Sequence, residues 1–219
     1  MPAAAILPVK RFGAAKQRLS SDLADGPRAA LAQAMVADVL ASLAEAREVG
    51  LTVVVSGAID DAQREHVVVV ADQLDSGQSP AALAGMERAA ALGYELAVLV
   101  PGDCPLLDPG ELDALVREAG KQDLVIVPDR HGTGTNALAL DPRGPFQPSF
   151  GPGSLERHTQ QAHDRGLDFT VREVPSLALD LDTPDDLTAL RAALAQTPGR
   201  AANTRAALSS LERQLPAVS

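Results

Sequence analysis

Three aspartates stand where the chain could gather carboxylates for metal chemistry. Asp103 follows an apolar run rich in Val and Leu, at residues 96–100, and Asp180 and Asp182 alternate at the end of a later predicted strand. Such a run is typical of a buried parallel strand, which delivers the next side chains to the carboxyl edge of its sheet. Ligands of α/β proteins bind at that edge. Because Mg²⁺ prefers oxygen ligands and keeps several waters, these acids predict a magnesium site that holds the phosphates of a nucleotide.

Asp103 taken alone has an equally ordinary second interpretation. A carboxylate just before a helix accepts hydrogen bonds from the first backbone N–H groups, and a helix is predicted to begin near Asp108. The choice between a cap and a metal ligand therefore depends on what else the chain brings to the same edge.

A cationic segment follows the first predicted strand, residues 3–9. Lys10, Arg11, Lys16 and Arg18 fall within nine residues and are interleaved with Gly and Ala. A loop of this composition could wrap a polyphosphate, although the spacing of a Walker A motif is absent. The alternative is a solvated basic patch.

Two glycine-rich segments occur in the second half of the chain. Residues 132–135, Gly-Thr-Gly-Thr, offer backbone N–H groups and two hydroxyls, and residues 150–154, Phe-Gly-Pro-Gly-Ser, open a predicted helix. Helix N-termini bind anions, so Gly151, Gly153 and Ser154 could form a cradle for an oxyanion. The alternatives are an ordinary turn at residues 132–135 and an N-cap at Ser154.

The elements that must position these groups alternate between strand and helix, which is typical of βαβ units with their βα loops on one sheet edge. Thr183 and Pro184 predict the cap and first residue of a last helix. A loop is predicted at residues 72–80. The predicted strands are residues 3–9, 51–56, 66–71, 96–100, 123–128, 137–140 and 169–174, and the predicted helices are 30–49, a short piece at 60–65, 81–92, 109–119 and 154–165.

Length and composition limit the classes of protein this chain could be. With 219 residues, 46% of them hydrophobic, it can bury one core, and we expect one domain over residues 1–195 with a tail over 196–219 that is helical or disordered. The formal net charge of −10 argues against a nucleic-acid partner, because few cations could replace the counterions of a phosphate backbone.

Cysteine and hydropathy patterns point to a cytoplasmic protein. The single cysteine, Cys104, excludes an intramolecular disulfide and a cysteine-based zinc site. No run of about 18 apolar residues occurs and the N-terminal segment is too short for a signal peptide, so we expect neither export nor a membrane partner. The oligomeric state is left open, with a homodimer among the candidates.

Taken together and in order, five motifs resemble one enzyme family, the 2-phospho-L-lactate or phosphoenolpyruvate guanylyltransferases of deazaflavin coenzyme F-420 biosynthesis. The first and last motifs are shared with wider nucleotidyltransferases related to the molybdenum-cofactor guanylyltransferases, and the two glycine-rich segments narrow the match. The resemblance covers residues 3 to about 194. Its motifs are Leu-Pro-Val-Lys at 7–10 with Ala-Lys-Gln-Arg-Leu at 15–19, Pro-Gly-Asp-Cys-Pro-Leu at 101–106, Asp-Arg-His-Gly-Thr-Gly-Thr-Asn at 129–136, residues 150–154, and Asp-Leu-Asp-Thr-Pro-Asp-Asp-Leu at 180–187.

The resemblance implies a Rossmann-like GT-A fold, with a mostly parallel twisted sheet and helices on both faces. It also implies a reaction between GTP and a three-carbon phosphoacid such as phosphoenolpyruvate, 2-phospho-L-lactate or 3-phosphoglycerate. Carried onto this sequence, the implied metal ligands for Mg²⁺ are Asp103 and Asp180, with Asp182 assisting. Lys10, Lys16 and Arg18 are implied to be catalytic cations near the triphosphate. Thr135, Gly151 and Ser154 are implied to bind the acceptor.

One position departs from the family pattern. The family usually has a Leu-Asn pair opening the helix after the third strand, near the nucleobase, and here the pair is Ser79-Pro80. The departure concerns selection of guanine and leaves the phosphoryl chemistry untouched.

The implied chemistry needs little from side chains. The phosphate of the acceptor is already an anion at neutral pH, so it can attack the α-phosphorus of GTP in line without a general base while pyrophosphate leaves. Two other functions fit the same motifs in part. One is a nucleotidyltransferase of another pathway, acting on a molybdopterin or a sugar phosphate, and the other is a non-catalytic nucleotide-binding regulator on the same fold.

Overall fold

The computed structural model describes residues 2–12, 24–57, 65–72 and 76–214. Within those residues, one mixed sheet is built from seven strands. In chain order they are β1 (Ala3–Val9), β2 (Val49–Ser56), β3 (Val67–Ala71), β4 (Ala97–Leu99), β5 (Leu124–Pro128), β6 (Thr135–Leu140) and β7 (Phe169–Val171).

The sheet is mostly parallel, as the sequence predicts. Its strand order is β3-β2-β1-β4-β6-β5-β7, and only β6 runs antiparallel to its neighbours, β4 and β5. Because β6 is reversed, its first residues lie at the edge where β1 and β4 end. That edge is where a ligand cleft forms in sheets of this type.

Helices cover both faces of the sheet. Alternate residues of β1 point to opposite sides, so Ala5 and Leu7 pack against one helical layer and Ala4 and Ile6 against the other. The helices are α1 (Asp25–Glu45), α2 (Gln78–Ala91), α3 (Pro109–Ala119), α4 (Ser154–Asp164), α5 (Pro175–Ala178), α6 (Pro184–Gln196) and α7 (Ala202–Gln214). The first layer contains α1 and α3, and the second contains α2 and α4.

The C-terminal helix α7 packs on the outer side of α1. Leu208 and Leu211 are buried in one apolar cluster with Leu31 of α1 and Leu190 of α6. The buried carboxylate of Asp38 caps the start of α7, because it accepts hydrogen bonds from the backbone N–H groups of residues 203 and 204 at 3.0 and 2.7 Å.

The predicted helix over residues 30–49 is wrong at its C-terminal end. The helix α1 ends at Glu45, and residues 49 and 50 belong to β2. The carbonyl of Glu48 accepts a hydrogen bond from the N–H of Ala3 at 2.7 Å, while Asp113 accepts the N–H of Glu48 at 2.9 Å. These tertiary contacts hold an extended backbone where helical periodicity predicts another turn.

Other boundaries also differ from the predictions, two of them near prolines. The loop predicted to run to residue 80 ends earlier, since α2 begins at Gln78 and Pro80 lies in its first turn, where a missing N–H costs little. The strand predicted to run to residue 174 ends at Val171, because Pro175 opens the short helix α5. The predicted helical piece at 60–65 lies almost entirely outside the described residues.

Membrane spans are absent from the described part of the chain, in that none of its helices has both the length and the apolar character needed to cross a bilayer.

Candidate functional site

A cleft of about 710 Å³ opens at the sheet edge where β1 and β4 end and β6 begins. It brings together the predicted site residues that the structure describes. They are Lys10, Asp103, Thr135, Gly151, Ser154, Asp180 and Asp182. The other two predicted site residues, Lys16 and Arg18, lie outside the described residues.

The three aspartates form one cluster in this cleft. One carboxylate oxygen from each of Asp103, Asp180 and Asp182 lies within 4.8 Å of the other two. Asp103 and Asp180 are half-buried and Asp182 is exposed. The alternative role for Asp103 is not observed, since the cap of α3 is Asp108, whose side chain accepts the N–H of Glu111 at 2.9 Å.

The segment that carries two of these acids is not the strand end that the sequence predicts. Asp180 and Asp182 follow α5 in an irregular stretch, and Asn136 of β6 fixes that stretch from the sheet. The side-chain amide of Asn136 donates to the carbonyl of Leu177 at 2.7 Å and to a carboxylate oxygen of Asp180 at 3.2 Å. A single buried amide therefore ties this stretch to the edge of the sheet.

Asp180 is electrostatically strained within the cluster. Burial and the neighbouring charges of Asp103 and Asp182 raise its pKa to about 6, although the hydrogen bond from Asn136 acts in the opposite direction. A carboxyl group with this pKa is mostly ionised at neutral pH and repels its neighbours. A bound cation would offset that repulsion.

Asp182 is held by the N-terminal cap of α6. The side chain of Asp186 accepts the N–H groups of Asp182 and Thr183 at 3.1 and 2.7 Å, and Thr183 completes the predicted cap by accepting the N–H of Asp186. Arg130 forms an ion pair with Asp186 at 2.5 Å. Burial would raise the pKa of Asp186, but these hydrogen bonds and the Arg130 charge hold it below its usual range.

The Gly-Thr-Gly-Thr segment forms a tight loop around one carboxylate. Asp129 accepts hydrogen bonds from the N–H groups of His131 and Thr133 at 3.2 and 3.0 Å. The other oxygen of Asp129 would lie 2.6 Å from a Cβ added at Gly134, so only glycine fits there without moving the carboxylate. The loop delivers Thr135 to the cleft wall as the first residue of β6.

Ser154 links the second glycine-rich segment to β6. It is the first residue of α4, not its cap, and its hydroxyl oxygen accepts the N–H of Thr135 at 2.9 Å. The N–H groups of Ser154 and Leu155 already donate to the carbonyls of Gly151 and Thr133. The donors that remain for an anion near this helix start therefore include the two hydroxyls, of Thr135 and Ser154.

The loop at residues 149–153 is pinned from two sides. Arg157 donates to the carbonyls of Ser149 and Pro152 at 2.8 and 2.5 Å. Ser79, at the departure from the family pattern, accepts the N–H of Phe150 at 2.9 Å. The pair Ser79-Pro80 thus supports the loop that carries Gly151.

His158 was given no role by the sequence, yet it touches both walls of this part of the cleft. Its imidazole is fully buried, with Nδ1 at 2.9 Å from Oγ1 of Thr135 and Nε2 at 2.9 Å from the N–H of Ser149. Burial, and to a lesser extent the charge of Arg157, lower its pKa to about 4. The spacing Ser154 to His158, four residues apart on one helical face, was the signal available for it.

Comparison with known proteins identifies relatives over almost the whole chain. Residues 3–200 match the family described as guanylyl transferase CofC like. A phosphoenolpyruvate guanylyltransferase from Conexibacter woesei is 45% identical over 217 residues, covering 97% of each chain. A 3-phospho-D-glycerate guanylyltransferase from Phenylobacterium zucineum is 37% identical, covering 84% of this chain and 87% of its own, and a 2-phospho-L-lactate guanylyltransferase from Methanothermobacter thermautotrophicus is 34% identical, covering 85% and 83%.

Solved structures show the same fold. A Desulfovibrio desulfuricans protein, provisionally described as a nucleotide-diphospho-sugar transferase, superposes with a TM-score of 0.76 at 19% identity, covering 98% of both chains. A Mycobacterium tuberculosis protein crystallised as a complex with manganese superposes with a TM-score of 0.51 at 16% identity, covering 87% of this chain and 98% of its own. From the family match and the identity to its relatives, the chain belongs to the CofC-like guanylyl transferase family.

Proposed function

We propose that this protein transfers GMP from GTP to the phosphate of a three-carbon phosphoacid, phosphoenolpyruvate or 2-phospho-L-lactate, and releases pyrophosphate in coenzyme F-420 biosynthesis. The observation that carries the proposal is the cleft itself, which has three clustered carboxylates on one side and the Thr135 and Ser154 hydroxyls on another. The names of relatives that this chain matches over almost its whole length support the same reaction.

The donor set fits a hard divalent cation, and we propose Mg²⁺. Three carboxylate oxygens lie within 4.8 Å of one another, and the pKa of one of them, Asp180, is raised by burial and by its charged neighbours. This set is suited to a small ion with oxygen ligands. Asp103 and Asp180 would hold it, with Asp182 assisting. When bound, Mg²⁺ would neutralise charge on the phosphates and on the leaving pyrophosphate.

The protein's own groups bind and orient the two substrates. Lys10 is exposed at the cleft edge and is proposed to contact the triphosphate, together with Lys16 and Arg18 farther along the same segment. Thr135, Gly151 and Ser154 are proposed to bind the phosphate and carboxylate of the acceptor. No side chain has to remove a proton, because the attacking phosphate oxygen is already ionised.

Among acceptors, phosphoenolpyruvate is favoured. The relative with 45% identity over 97% of the chain carries that name, whereas the relatives named for 3-phospho-D-glycerate and 2-phospho-L-lactate are 37% and 34% identical. The three acids differ by a few atoms next to the carboxylate, where Thr135 and its neighbours would distinguish them.

The test is an endpoint assay by mass spectrometry with purified protein and Mg²⁺. GTP, ATP and CTP are each combined with phosphoenolpyruvate, 2-phospho-L-lactate and 3-phospho-D-glycerate in separate tubes. We expect a GMP adduct and pyrophosphate with phosphoenolpyruvate or 2-phospho-L-lactate, and no product once the metal is chelated. Absence of any adduct from folded protein that binds GTP would overturn the proposal in favour of a regulator or a transferase of another pathway.

A further inference from the structure

His158 is a fully buried titratable group beside the cleft, and the proposed chemistry does not use it. Its side chain has no exposed surface and lies between two aromatic rings, those of Phe146 and Phe150, each with its centroid 5.5 Å from that of the imidazole. A buried imidazole must satisfy both ring nitrogens, and here each nitrogen has one partner.

The two partners determine which nitrogen carries the proton. The N–H of Ser149 can only donate, so Nε2 of His158 must offer its lone pair to it. The ring is therefore neutral, with its one proton on Nδ1, and Nδ1 donates to Oγ1 of Thr135. The lowered pKa, about 4, agrees with a ring that stays neutral across the physiological range.

This tautomer also determines what Thr135 can offer a substrate. Because Oγ1 of Thr135 accepts from His158, its own hydrogen must point elsewhere, and no acceptor for it occurs among the residues that the structure describes. Thr135 lines the cleft, and so does Ser154. The Ser154 hydroxyl oxygen also accepts a hydrogen bond, from the N–H of Thr135, so its own hydrogen must likewise point elsewhere. Two hydroxyl hydrogens are thus left for an anionic ligand.

We propose that His158 is a positioning residue for the acceptor: it fixes the Thr135 hydroxyl as a hydrogen-bond donor toward the phosphoacid. The inference rests on the proposed function and adds to it a residue that does not touch the substrate. Through Ser149, the same ring holds the loop of residues 149–153 against β6, so both walls of the acceptor site depend on one side chain.

Two amide variants separate the two hydrogen bonds of His158. In His158→Asn the amide nitrogen takes the place of Nδ1 and can still donate to Thr135, whereas in His158→Gln the amide oxygen takes the place of Nε2 and can accept from Ser149 only. We expect His158→Gln to raise the KM for the acceptor about tenfold with little change in the KM for GTP. Without the donor to Thr135, the Thr135 hydroxyl is no longer directed toward the charged acceptor, and their hydrogen bond is weakened. His158→Asn keeps a donor to Thr135 but loses the bond to Ser149, so it should raise this KM less than His158→Gln does.

Adding Thr135→Val distinguishes positioning from general packing. Valine has the shape of threonine without the hydroxyl, so in that background His158→Gln should have no further effect on the KM for the acceptor. A full additional effect in the double variant, or an unchanged KM in the single His158→Gln variant that still forms adduct, overturns the positioning role while leaving the proposed function intact. Parent protein that forms no adduct overturns the proposed function instead, and the role of His158 falls with it.

A measurement on the parent protein tests the inference even if a variant fails to fold. Nitrogen-15 NMR of the four histidines should show one that is neutral, does not titrate between about pH 5.5 and 8, and carries its proton on Nδ1. Its signals should shift when phosphoenolpyruvate is added with GTP and Mg²⁺. A non-titrating histidine protonated on Nε2 would contradict the hydrogen-bond direction on which the proposal depends.

Discussion

Asp103, Asp180 and Asp182 repel one another when all three are ionised, because the fold holds their carboxylates close together in one cluster. The partner of Asp180 is a neutral amide from β6, which does not neutralise the charge of that carboxylate. A cluster of this kind is expected to weaken the free protein and to be relieved by a divalent cation.

Asp103→Asn should abolish turnover and leave the fold intact. The amide keeps the shape of the side chain but removes one of the negative charges that would hold the metal, so we expect adduct formation to fall about a thousandfold. The mass-spectrometric assay measures the loss, and circular dichroism checks the fold. Asp164→Asn, an exposed residue near the end of α4, is the control and should be fully active. Normal activity of a folded Asp103→Asn protein would remove this residue from the site.

Asp180→Asn should stabilise the metal-free protein at neutral pH. The folded-state pKa of Asp180, about 6, lies above the ordinary aspartate value of 3.8. The native state therefore binds this proton more tightly, and the parent loses stability as pH rises from about 4 to about 6. Because the side chain is only half-buried, we expect a gain of about 1 kcal/mol for the variant at pH 7.5.

Thermal unfolding with and without Mg²⁺ measures this effect. The parent and Asp180→Asn should converge in stability only as the pH falls below 3.8, where the parent carboxyl group is protonated in both the folded and the unfolded state. Added Mg²⁺ should raise the unfolding temperature of the parent and do so much less for the variant. A variant that is less stable than the parent at pH 7.5 without metal would refute the strain assigned to Asp180.

At the scale of elements, the Gly-Thr-Gly-Thr loop depends on one close approach. In Gly134→Ala the new Cβ would lie 2.6 Å from a carboxylate oxygen of Asp129, and that carboxylate cannot move without losing its bonds to the N–H groups of residues 131 and 133. We expect the loop to shift Thr135 and raise the KM for the acceptor about tenfold, with the KM for GTP little changed.

Gly26→Ala is the matched control for that variant. A Cβ at Gly26 would have no atom within 4 Å, and the residue lies in the first turn of α1. The same chemical change should therefore leave both KM values unchanged. Equal kinetics for Gly134→Ala and Gly26→Ala would show that the loop does not position the acceptor site.

The elements were predictable where local pattern and tertiary packing agree. The strand β1 and the helix α3 have the predicted bounds. An apolar run is enough to locate β1, and a proline at the first position followed by apolar residues at helical spacing is enough to locate α3. The end of α1 was not predictable, since Glu48 is drawn into the sheet by Ala3 and Asp113, which are far away in sequence.

The candidate site likewise contains features that could be predicted from the sequence and features that could not. Its acids and glycine-rich segments could be found from residue type and position at strand or helix ends, and the cleft gathers those that the structure describes. The roles of Asn136 and His158 could not be found, because each acts on partners that only the folded chain brings near, such as Leu177 for Asn136 and Thr135 for His158.

For the molecule as a whole, the C-terminal helix is a stabilising layer that lies apart from the chemistry. All of α7 follows residue 200, where the family match ends, and the helix packs on the side of α1 that carries Leu31. Buried Asp38 of α1 accepts hydrogen bonds from two backbone N–H groups at the start of α7 and from the side chain of Asn203. One buried carboxylate therefore adds a hydrogen-bonded contact to the apolar packing between α1 and α7.

Asp38→Ala should lower stability without changing catalysis. The substitution leaves the N–H groups at the start of α7 without their partner, which we expect to cost about 2 kcal/mol in the free energy of unfolding. Both KM values at 25 °C should match the parent, because Asp38 does not line the cleft. Urea unfolding measures the first effect and steady-state kinetics the second, with Asp164→Ala as a control that should alter neither. A stable variant with impaired acceptor binding would instead show that α7 acts on the site through α1, whose Met35 and Val36 line the cleft.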